Sequence, residues 1–264
     1  RAIDFILSNL TNAGIENIGI FTKINSRSLM DHIGNGRPWD LNRKNDGLRV
    51  FNFTQYDPVY DDIHTFANNM DYFSLSRQEY IIISPSNMIC NIDFGKLAKH
   101  HEESGNDITI VYKKVDDAGE NFYGCNVLDI SGNDRVSSVG ENIGSYKEAD
   151  ICMEIFVMKK SLFMEIVYDC MRTGRYRKLK GAIFSALDKY SVGAYEFKGY
   201  LKCINSLHTY YEANMDFLSP KVNKEIFFDQ SPIYTKSKDE SPTKYTKDSR
   251  VVNSIVASGC VIEG

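Results

Sequence analysis

The sequence has no closely spaced cysteine pair, no long apolar run and no excess of basic residues. Its six cysteines lie far apart without a C-x-x-C pair, which favours reduced, mostly buried thiols over a disulfide framework or a zinc site. The longest apolar stretches, such as Ile81–Ile83, are far too short to span a bilayer. The net charge of −4 offers no attraction for nucleic acid or an anionic membrane. We therefore expect a cytoplasmic globular protein that binds neither.

The beginning of the sequence also lacks the usual features of a chain start. It opens with Arg1-Ala2-Ile3-Asp4, with no Met, no basic n-region and no cleavage site. We expect a piece truncated at both ends, with a preceding segment missing. The 264 residues, of which 42% are hydrophobic and 25% charged, suffice for one large domain or one domain with a small appendage.

Helical and strand patterns alternate along most of the chain. The clearest unit is a strand at Tyr80–Ser84, a helix at Phe94–Glu103 and a strand at Asp107–Lys113, which predicts a β-α-β crossover in a parallel sheet. Strands at Asn126–Ile130 and Arg135–Val139 flank a turn sequence and predict a hairpin. The alternation predicts an α/β layer fold. The other predicted elements are strands at Ile18–Thr22, Ile151–Met158 and Ala194–Tyr200, and helices at Ser28–Ile33, Ile63–Phe73, Leu162–Met171, Leu179–Leu187 and Ser206–Phe217.

The composition changes near the end of the chain. Residues 229–250 are rich in Ser, Thr, Lys, Asp and Pro, which indicates a surface connector. Beyond them Ile255 and Val261 are six apart, and Val256 and Ile262 repeat that spacing. A six-residue period is typical of a parallel β-helix, and an isolated edge strand is the alternative. We divide the chain into a main domain at 1–218, a connector at 219–250 and a first β-helix turn at 251–264.

Several motifs occur in order over essentially the whole chain. The segment Arg1–Asn9 follows the pattern R-x-I-D-F-x-L-S-N, and the six residues Tyr211–Asp216 match Y-W-E-A-N-M-D apart from its tryptophan. Ser28–Ile33 follows S-L-x-x-H-I. Together these motifs resemble the ADP-glucose pyrophosphorylase (glucose-1-phosphate adenylyltransferase) family. The resemblance implies an α/β nucleotidyltransferase domain, Rossmann-like with a mostly parallel mixed sheet, followed by the start of a left-handed parallel β-helix. The family's glycine-rich triphosphate loop would precede residue 1.

The family joins glucose 1-phosphate to ATP, releasing pyrophosphate and forming ADP-glucose. The resemblance implies Mg²⁺ bound by two aspartates, because that ion prefers hard oxygen ligands. In this sequence the first of those positions aligns with Asn87 and the second with Cys203. Asparagine offers one neutral oxygen, and cysteine is a soft ligand that suits Mg²⁺ poorly. We therefore predict a degenerate site with no catalytic residue and no metal.

The sugar-phosphate side of the resemblance is altered as well. The family lysine that faces the phosphate of glucose 1-phosphate aligns with Asn142, and a sugar-pocket glycine aligns with Glu154. Gly124 and Tyr200 match the family and are the predicted remnants of substrate binding.

The pattern resembles a GlgD-type subunit found beside a catalytic partner. It implies a regulatory or structural subunit in a hetero-oligomer of glycogen biosynthesis, partnered by a catalytic ADP-glucose pyrophosphorylase subunit. A sugar phosphate or nucleotide is the expected kind of effector. The alternative is an active glucose-1-phosphate adenylyltransferase that binds Mg²⁺ through displaced ligands, and a free-standing sensor of sugar phosphates or nucleotides is a third hypothesis.

Overall fold

The structure is a computed structural model that describes residues 1–22, 26–52, 61–145, 147–237 and 239–264. Within these ranges, helices and strands alternate along the chain. The helices are α1 (Ala2–Asn12), α2 (Arg27–Ile33), α3 (Asp62–Asn68), α4 (Met70–Leu75), α5 (Phe94–Ser104), α6 (Ala118–Asn121), α7 (Lys160–Thr173), α8 (Leu179–Phe184), α9 (Leu207–Asp216) and α10 (Pro220–Phe227). The strands are β1 (Asn17–Thr22), β2 (Gly47–Asn52), β3 (Tyr80–Ile83), β4 (Met88–Ile89), β5 (Ile108–Val115), β6 (Asn126–Ser131), β7 (Arg135–Glu141), β8 (Ala149–Lys159), β9 (Val192–Glu196), β10 (Lys202–Cys203), β11 (Lys244–Tyr245) and β12 (Val261–Ile262).

A six-stranded mixed sheet forms the centre of the fold, in the order β3-β8-β5-β9-β7-β6. β8 lies between β3 and β5 and runs antiparallel to both. In the described part of this sheet, β5 and β9 are the one pair of parallel neighbours. The prediction of a mixed α/β sheet is therefore confirmed, but the prediction that the sheet is mostly parallel is wrong. β3 and β5 do run in the same direction on either side of α5, yet they are not neighbours.

β8 separates β3 from β5 because both of its faces are apolar, and such a strand is stable in the middle of a sheet covered on both sides. One face packs on α1 and α5 and the other on α3, α4, α7 and α8. Successive side chains of β8 point to opposite faces of the sheet, so its buried residues belong to two clusters. Those on the first face are Ile151, Met153, Ile155 and Val157, and those on the second are Cys152, Phe156 and Met158.

Polar side chains on α1 bind the segment that follows α10. The buried hydroxyl of Ser8 accepts a hydrogen bond from the Tyr234 backbone N–H at 2.8 Å and another from Trp39 Nε1 at 3.2 Å. Asp4 accepts a hydrogen bond from the Thr235 hydroxyl at 2.7 Å. The motif at the start of the chain therefore has a structural role, since buried polar groups of this kind are stable only when paired.

The end of the chain contains a short parallel ladder, in which Lys244 pairs with Val261 and Tyr245 with Ile262. The predicted parallel segment is thus present at Val261–Ile262, and its partner strand β11 lies within the range predicted to be a connector. That range also contains α10, whose Ile226 is buried in a small cluster with Phe5. A proline at the first helical position was the available signal for α10.

Other elements differ from prediction in detail. The predicted helix at 63–73 is divided at Asn69 into α3 and α4, and the predicted strand at 194–200 already ends at Glu196. The hairpin of β6 and β7 is confirmed, whereas β2 and α6 were not predicted. Among the described residues, no helix combines the length and apolar character needed to cross a bilayer.

Asp62 links α3 to α8 by accepting a hydrogen bond from the Leu179 backbone N–H at 2.7 Å. Burial raises the pKa of Asp62 to about 6, from an ordinary value of 3.8. Because the folded state holds this proton more tightly than the unfolded state, the residue destabilises the fold above pH 6 and ceases to do so as the pH falls toward 4.

We expect Asp62→Asn to stabilise the protein at pH 7.5, raising the melting temperature by a few degrees, because the amide keeps an acceptor for Leu179 without a buried charge. The gain should shrink as the pH is lowered from 6 to 4, measured by thermal unfolding across that range. Asp62→Ala is the control, since it removes both the charge and the acceptor and should be less stable than Asp62→Asn at every pH. A gain for Asp62→Asn that does not vary with pH would contradict this account.

Candidate functional site

The two positions predicted for metal ligands lie side by side. β4 and β10 pair in antiparallel fashion, with Met88 opposite Cys203. The Ile204 backbone N–H extends this pairing by donating to the Asn87 carbonyl at 2.8 Å. The Asn87 side-chain nitrogen donates to Cys203 Sγ at 3.6 Å, although the two residues are 116 positions apart. The fold therefore brings together the positions that the sequence alignment had paired.

The donors at this point do not fit Mg²⁺. The Asn87 amide is uncharged, and its nitrogen rather than its oxygen faces the sulfur. Cys203 is buried, and the neighbouring Cys125 thiol together with this burial raises the pKa of its thiol well above the ordinary range. A protonated thiol is not a ligand for a hard cation. In the described ranges, no group of three or more His, Cys, Asp or Glu residues could hold a metal ion.

Cys125, which directly precedes β6, adds a second thiol to the site. The neighbouring Cys203 thiol lowers the pKa of Cys125. The charges of Glu154 and Lys180 act on both thiols. Asn87 thus contacts Cys203, whose pKa is also affected by Cys125, Glu154 and Lys180.

Asn142 is fully buried and turned toward the backbone. Its side-chain nitrogen donates to the carbonyls of Ala118 at 2.5 Å and Phe122 at 2.9 Å, and its side-chain oxygen accepts from the Gly144 N–H at 3.0 Å. These bonds use both of its donor hydrogens and one acceptor position. The side chain at the predicted phosphate-facing position is therefore engaged in holding a loop.

Glu154 lies in a bulge of β8 with a backbone φ of 54°, in the left-handed region that favours glycine. That conformation agrees with its alignment to a family glycine. Its carboxylate accepts a hydrogen bond from Lys180 Nζ at 2.5 Å, and the same ammonium donates to Asn126 Oδ1 at 3.0 Å. A half-buried ion pair thus spans the space that a glycine would leave open.

Gly124 and Tyr200, the two predicted remnants of substrate binding, both have contacts that serve the fold. Gly124 has a φ of 75° and donates its N–H to the Asn142 carbonyl at 2.7 Å, so it shapes an exposed turn. The Tyr200 hydroxyl donates to Asp216 Oδ2 at 2.8 Å, and burial raises its pKa well above the ordinary range. Tyr200 also lines an open groove of about 930 Å³ that includes Glu225 of α10. A role of either residue toward substrate stays a prediction.

Lys202 is a buried charge that the sequence analysis missed. Its ammonium donates to Asn121 Oδ1 at 2.7 Å and lies 3.0 Å from Glu212 Oε2 and 3.8 Å from Asp216 Oδ2. Two carboxylates compensate the burial of this side chain, which is 10% exposed. The sequence feature that could have indicated these ion pairs is the spacing of Glu212 and Asp216, which puts both carboxylates on one face of α9. The ion pairs fix β10 to that helix.

The amino-acid sequence is similar to a known protein family and to several known proteins. The family described as Nucleotidyl transferase matches residues 1–219. The chain is 36% identical over its whole length to "Glycogen biosynthesis protein GlgD" of Bacillus subtilis (strain 168), covering 67% of that protein, and 35% identical to a protein of the same name from Geobacillus stearothermophilus, covering 68%. It is 31% identical over its whole length to "Glucose-1-phosphate adenylyltransferase" of Mycoplasma mobile, covering 71% of that protein.

We expect Asn142→Ala to destabilise the fold by about 1–3 kcal/mol, because it removes three hydrogen bonds of a fully buried side chain, although the two carbonyls each keep one backbone donor. Urea unfolding monitored by circular dichroism measures the change. Asn45→Ala is the matched control at an exposed position and should stay within about 0.5 kcal/mol of the parent chain. Equal unfolding midpoints for the two variants would show that Asn142 does not hold the loop.

Proposed function

This chain belongs to the nucleotidyltransferase family and to its GlgD-like ADP-glucose pyrophosphorylases, and on that premise we propose that it is a regulatory or structural subunit of ADP-glucose pyrophosphorylase in glycogen biosynthesis. In this proposal the subunit has no adenylyltransferase activity of its own. It acts through a catalytic paralogue with which it assembles in the cytoplasm.

The observation that carries the proposal is the hydrogen bond between Asn87 and Cys203 at the two positions where the family places carboxylates. Transfer of an adenylyl group to a sugar phosphate brings several negative charges together and depends on Mg²⁺ and cationic side chains to stabilise them. A neutral amide and a protonated thiol that bond to each other supply neither negative charge for the metal nor a free oxygen aimed at it.

The sugar-phosphate side supports the same proposal. Asn142 brings no cation to the phosphate, and its side chain is engaged by the backbone of its own loop. Glu154 adds a carboxylate where the family has a glycine, and the ion pair with Lys180 neutralises a cation that could otherwise face a phosphate. Each change acts against the binding of glucose 1-phosphate in a reactive position.

The second candidate function is an active glucose-1-phosphate adenylyltransferase. It is favoured by the relatives that carry this name, which match the whole chain at 31% identity in Mycoplasma mobile and 29% in Clostridium novyi (strain NT). It requires carboxylates other than those at positions 87 and 203 to bind Mg²⁺.

The end of the chain supports an assembly role. The parallel pairing of β11 with β12 is the arrangement expected in the first turn of a left-handed β-helix, which we propose begins here. Apolar side chains around β12 are exposed, and stacking of further turns or of a second subunit would cover them. They are Val251, Val252, Ile255 and Val261. We further propose that a sugar phosphate or nucleotide acts as effector of the assembled enzyme.

The test is pyrophosphate release from ATP and glucose 1-phosphate by the full-length protein, assayed alone and mixed with its catalytic paralogue. Alone, it should give no release above background, since each 1.4 kcal/mol of lost transition-state stabilisation is about tenfold in rate and several such contributions are missing. Mixed, it should co-elute with the paralogue in size-exclusion chromatography and change the rate or the effector response of that partner.

The control for the mixture is the paralogue with its own metal-binding aspartates replaced by asparagine. Added to this chain it should yield an inactive complex, because all turnover belongs to the partner. Release of pyrophosphate by this chain alone, abolished by chelating Mg²⁺, would support the adenylyltransferase and contradict the subunit proposal. A protein that stays monomeric beside its paralogue and leaves its kinetics unchanged would contradict it equally.

A further inference from the structure

An open groove of about 930 Å³ lies where β9 leaves the central sheet. Its walls are the beginning of α5, the end of β9 with residues 197–200 that follow it, and α10. One edge of β9 pairs with β5, and the other pairs with β7 at Gly193; beyond that point Tyr195 and Glu196 line the groove. Among the six predicted site residues, all of which the structure describes, Tyr200 alone lines it.

Hydrogen bonds between different elements hold the walls of the groove together. Lys113 Nζ on β5 donates to the Gly199 carbonyl at 2.7 Å, and the Tyr200 N–H donates to Glu225 Oε1 on α10 at 2.5 Å. Asn91, which precedes α5, donates through its side-chain nitrogen to one carbonyl in α10 and to another after that helix, both at 2.8 Å. The groove is therefore formed before a ligand binds, which lowers the entropic cost of binding.

The charges that line the groove nearly cancel. Four lysines and five acidic residues border it. Three of the lysines lie within 3.8 Å of a carboxylate close to them in the sequence. These pairs are Lys96 with Asp93, Lys198 with Glu196 and Lys224 with Asp229. A phosphate group would therefore meet no net positive field here, and the groove does not have the electrostatics of an anion site.

The groove combines aromatic rings with these charged groups. Tyr195 and His100 are half-buried and both line it, with ring centroids 5.0 Å apart. The face of an aromatic ring is electron-rich and attracts the weakly positive C–H groups of a sugar ring. Carboxylates accept hydrogen bonds and ammonium groups donate them, whereas a sugar hydroxyl does both. An uncharged polyhydroxyl ligand can thus use the rings, the carboxylates and the lysines together.

From this chemistry we propose that the groove binds an uncharged glucose oligosaccharide, namely a chain of the α-glucan that makes up glycogen. Its volume is at the upper end of the range for ligand sites, about 300–1,000 Å³, so it has room for more than one sugar unit. The choice of a glucose polymer rests on the proposed function in glycogen biosynthesis. The preference for an uncharged polyhydroxyl ligand rests on the groove itself. Binding would hold the subunit at the polymer for which ADP-glucose is made.

The test is electrophoresis of the full-length protein in native gels that contain increasing concentrations of glycogen. We expect glycogen to retard the protein and added maltoheptaose to restore its mobility. Tyr195→Ala should weaken the apparent affinity about two- to tenfold, because the sugar loses an aromatic face. Tyr168→Ala is the matched control, since this exposed tyrosine lies on α7, which packs on the opposite side of the sheet. It should keep the affinity of the parent chain.

A second variant and two changes of conditions make the test independent of Tyr195. Glu196→Ala removes a half-buried carboxylate at the groove and should also weaken retardation, so the test remains decisive if Tyr195→Ala does not fold. Retardation should be the same at about 0.05 and about 0.5 M sodium chloride, because an uncharged ligand forms no ion pair for salt to screen. Glucose 6-phosphate should not restore the mobility of the retarded protein.

Three results would overturn the proposal. These are a mobility that does not depend on glycogen, parental affinity in both Tyr195→Ala and Glu196→Ala, and a salt-sensitive release by glucose 6-phosphate, which would indicate an anion site. The gels contain neither ATP nor the paralogue, so this inference and the proposed function can fail separately. A protein that binds glycogen through the groove but releases pyrophosphate alone would contradict only the proposed function.

Discussion

The two-residue pairing between β4 and β10 is the constraint on which the candidate site depends. It lies outside the central sheet and joins a loop after β3 to a loop after β9, two parts of the chain that are distant in sequence. The Ile204 N–H bound to the Asn87 carbonyl extends it by one residue. Lys202, held between Glu212 and Asp216, fixes the other side of β10 to α9. Positions 87 and 203 therefore meet because of backbone pairing and a buried ion pair.

Around this pairing, the polar groups of the site bond to the protein itself. Asn87 contacts Cys203, and Glu154 contacts Lys180. Buried polar groups are stable when paired, and a site that has lost its ligands can reach that state by internal bonds. An active site needs the opposite, because its charged groups must remain free to bind substrate and metal. The arrangement in this site favours stability over turnover, and this supports the proposal of a subunit without activity of its own.

The sequence alone predicts most of the helices and strands and the proximity of positions 87 and 203. It does not predict the order of the strands in the central sheet. Periodicity identifies β8 as a strand, but only the two apolar clusters it fills explain why it lies between β3 and β5. Motif alignment placed Glu154 at a glycine position, and its left-handed φ agrees. The inward turn of Asn142 and the hydrogen bond from Asn87 to Cys203 depend on side-chain directions that no spacing in the sequence gives. Tertiary packing decides such features.

The central claim is that positions 87 and 203 mark a metal site that has lost its charge, and binding of Mn²⁺, a paramagnetic substitute for Mg²⁺, tests it most directly. Electron paramagnetic resonance of the full-length protein should show no bound Mn²⁺ at a protein concentration of about 0.1 mM. The double variant Asn87→Asp, Cys203→Asp should bind one ion, because two hard carboxylate ligands then face each other. Stoichiometric Mn²⁺ binding by the unaltered protein, unchanged by the double substitution, would contradict the account.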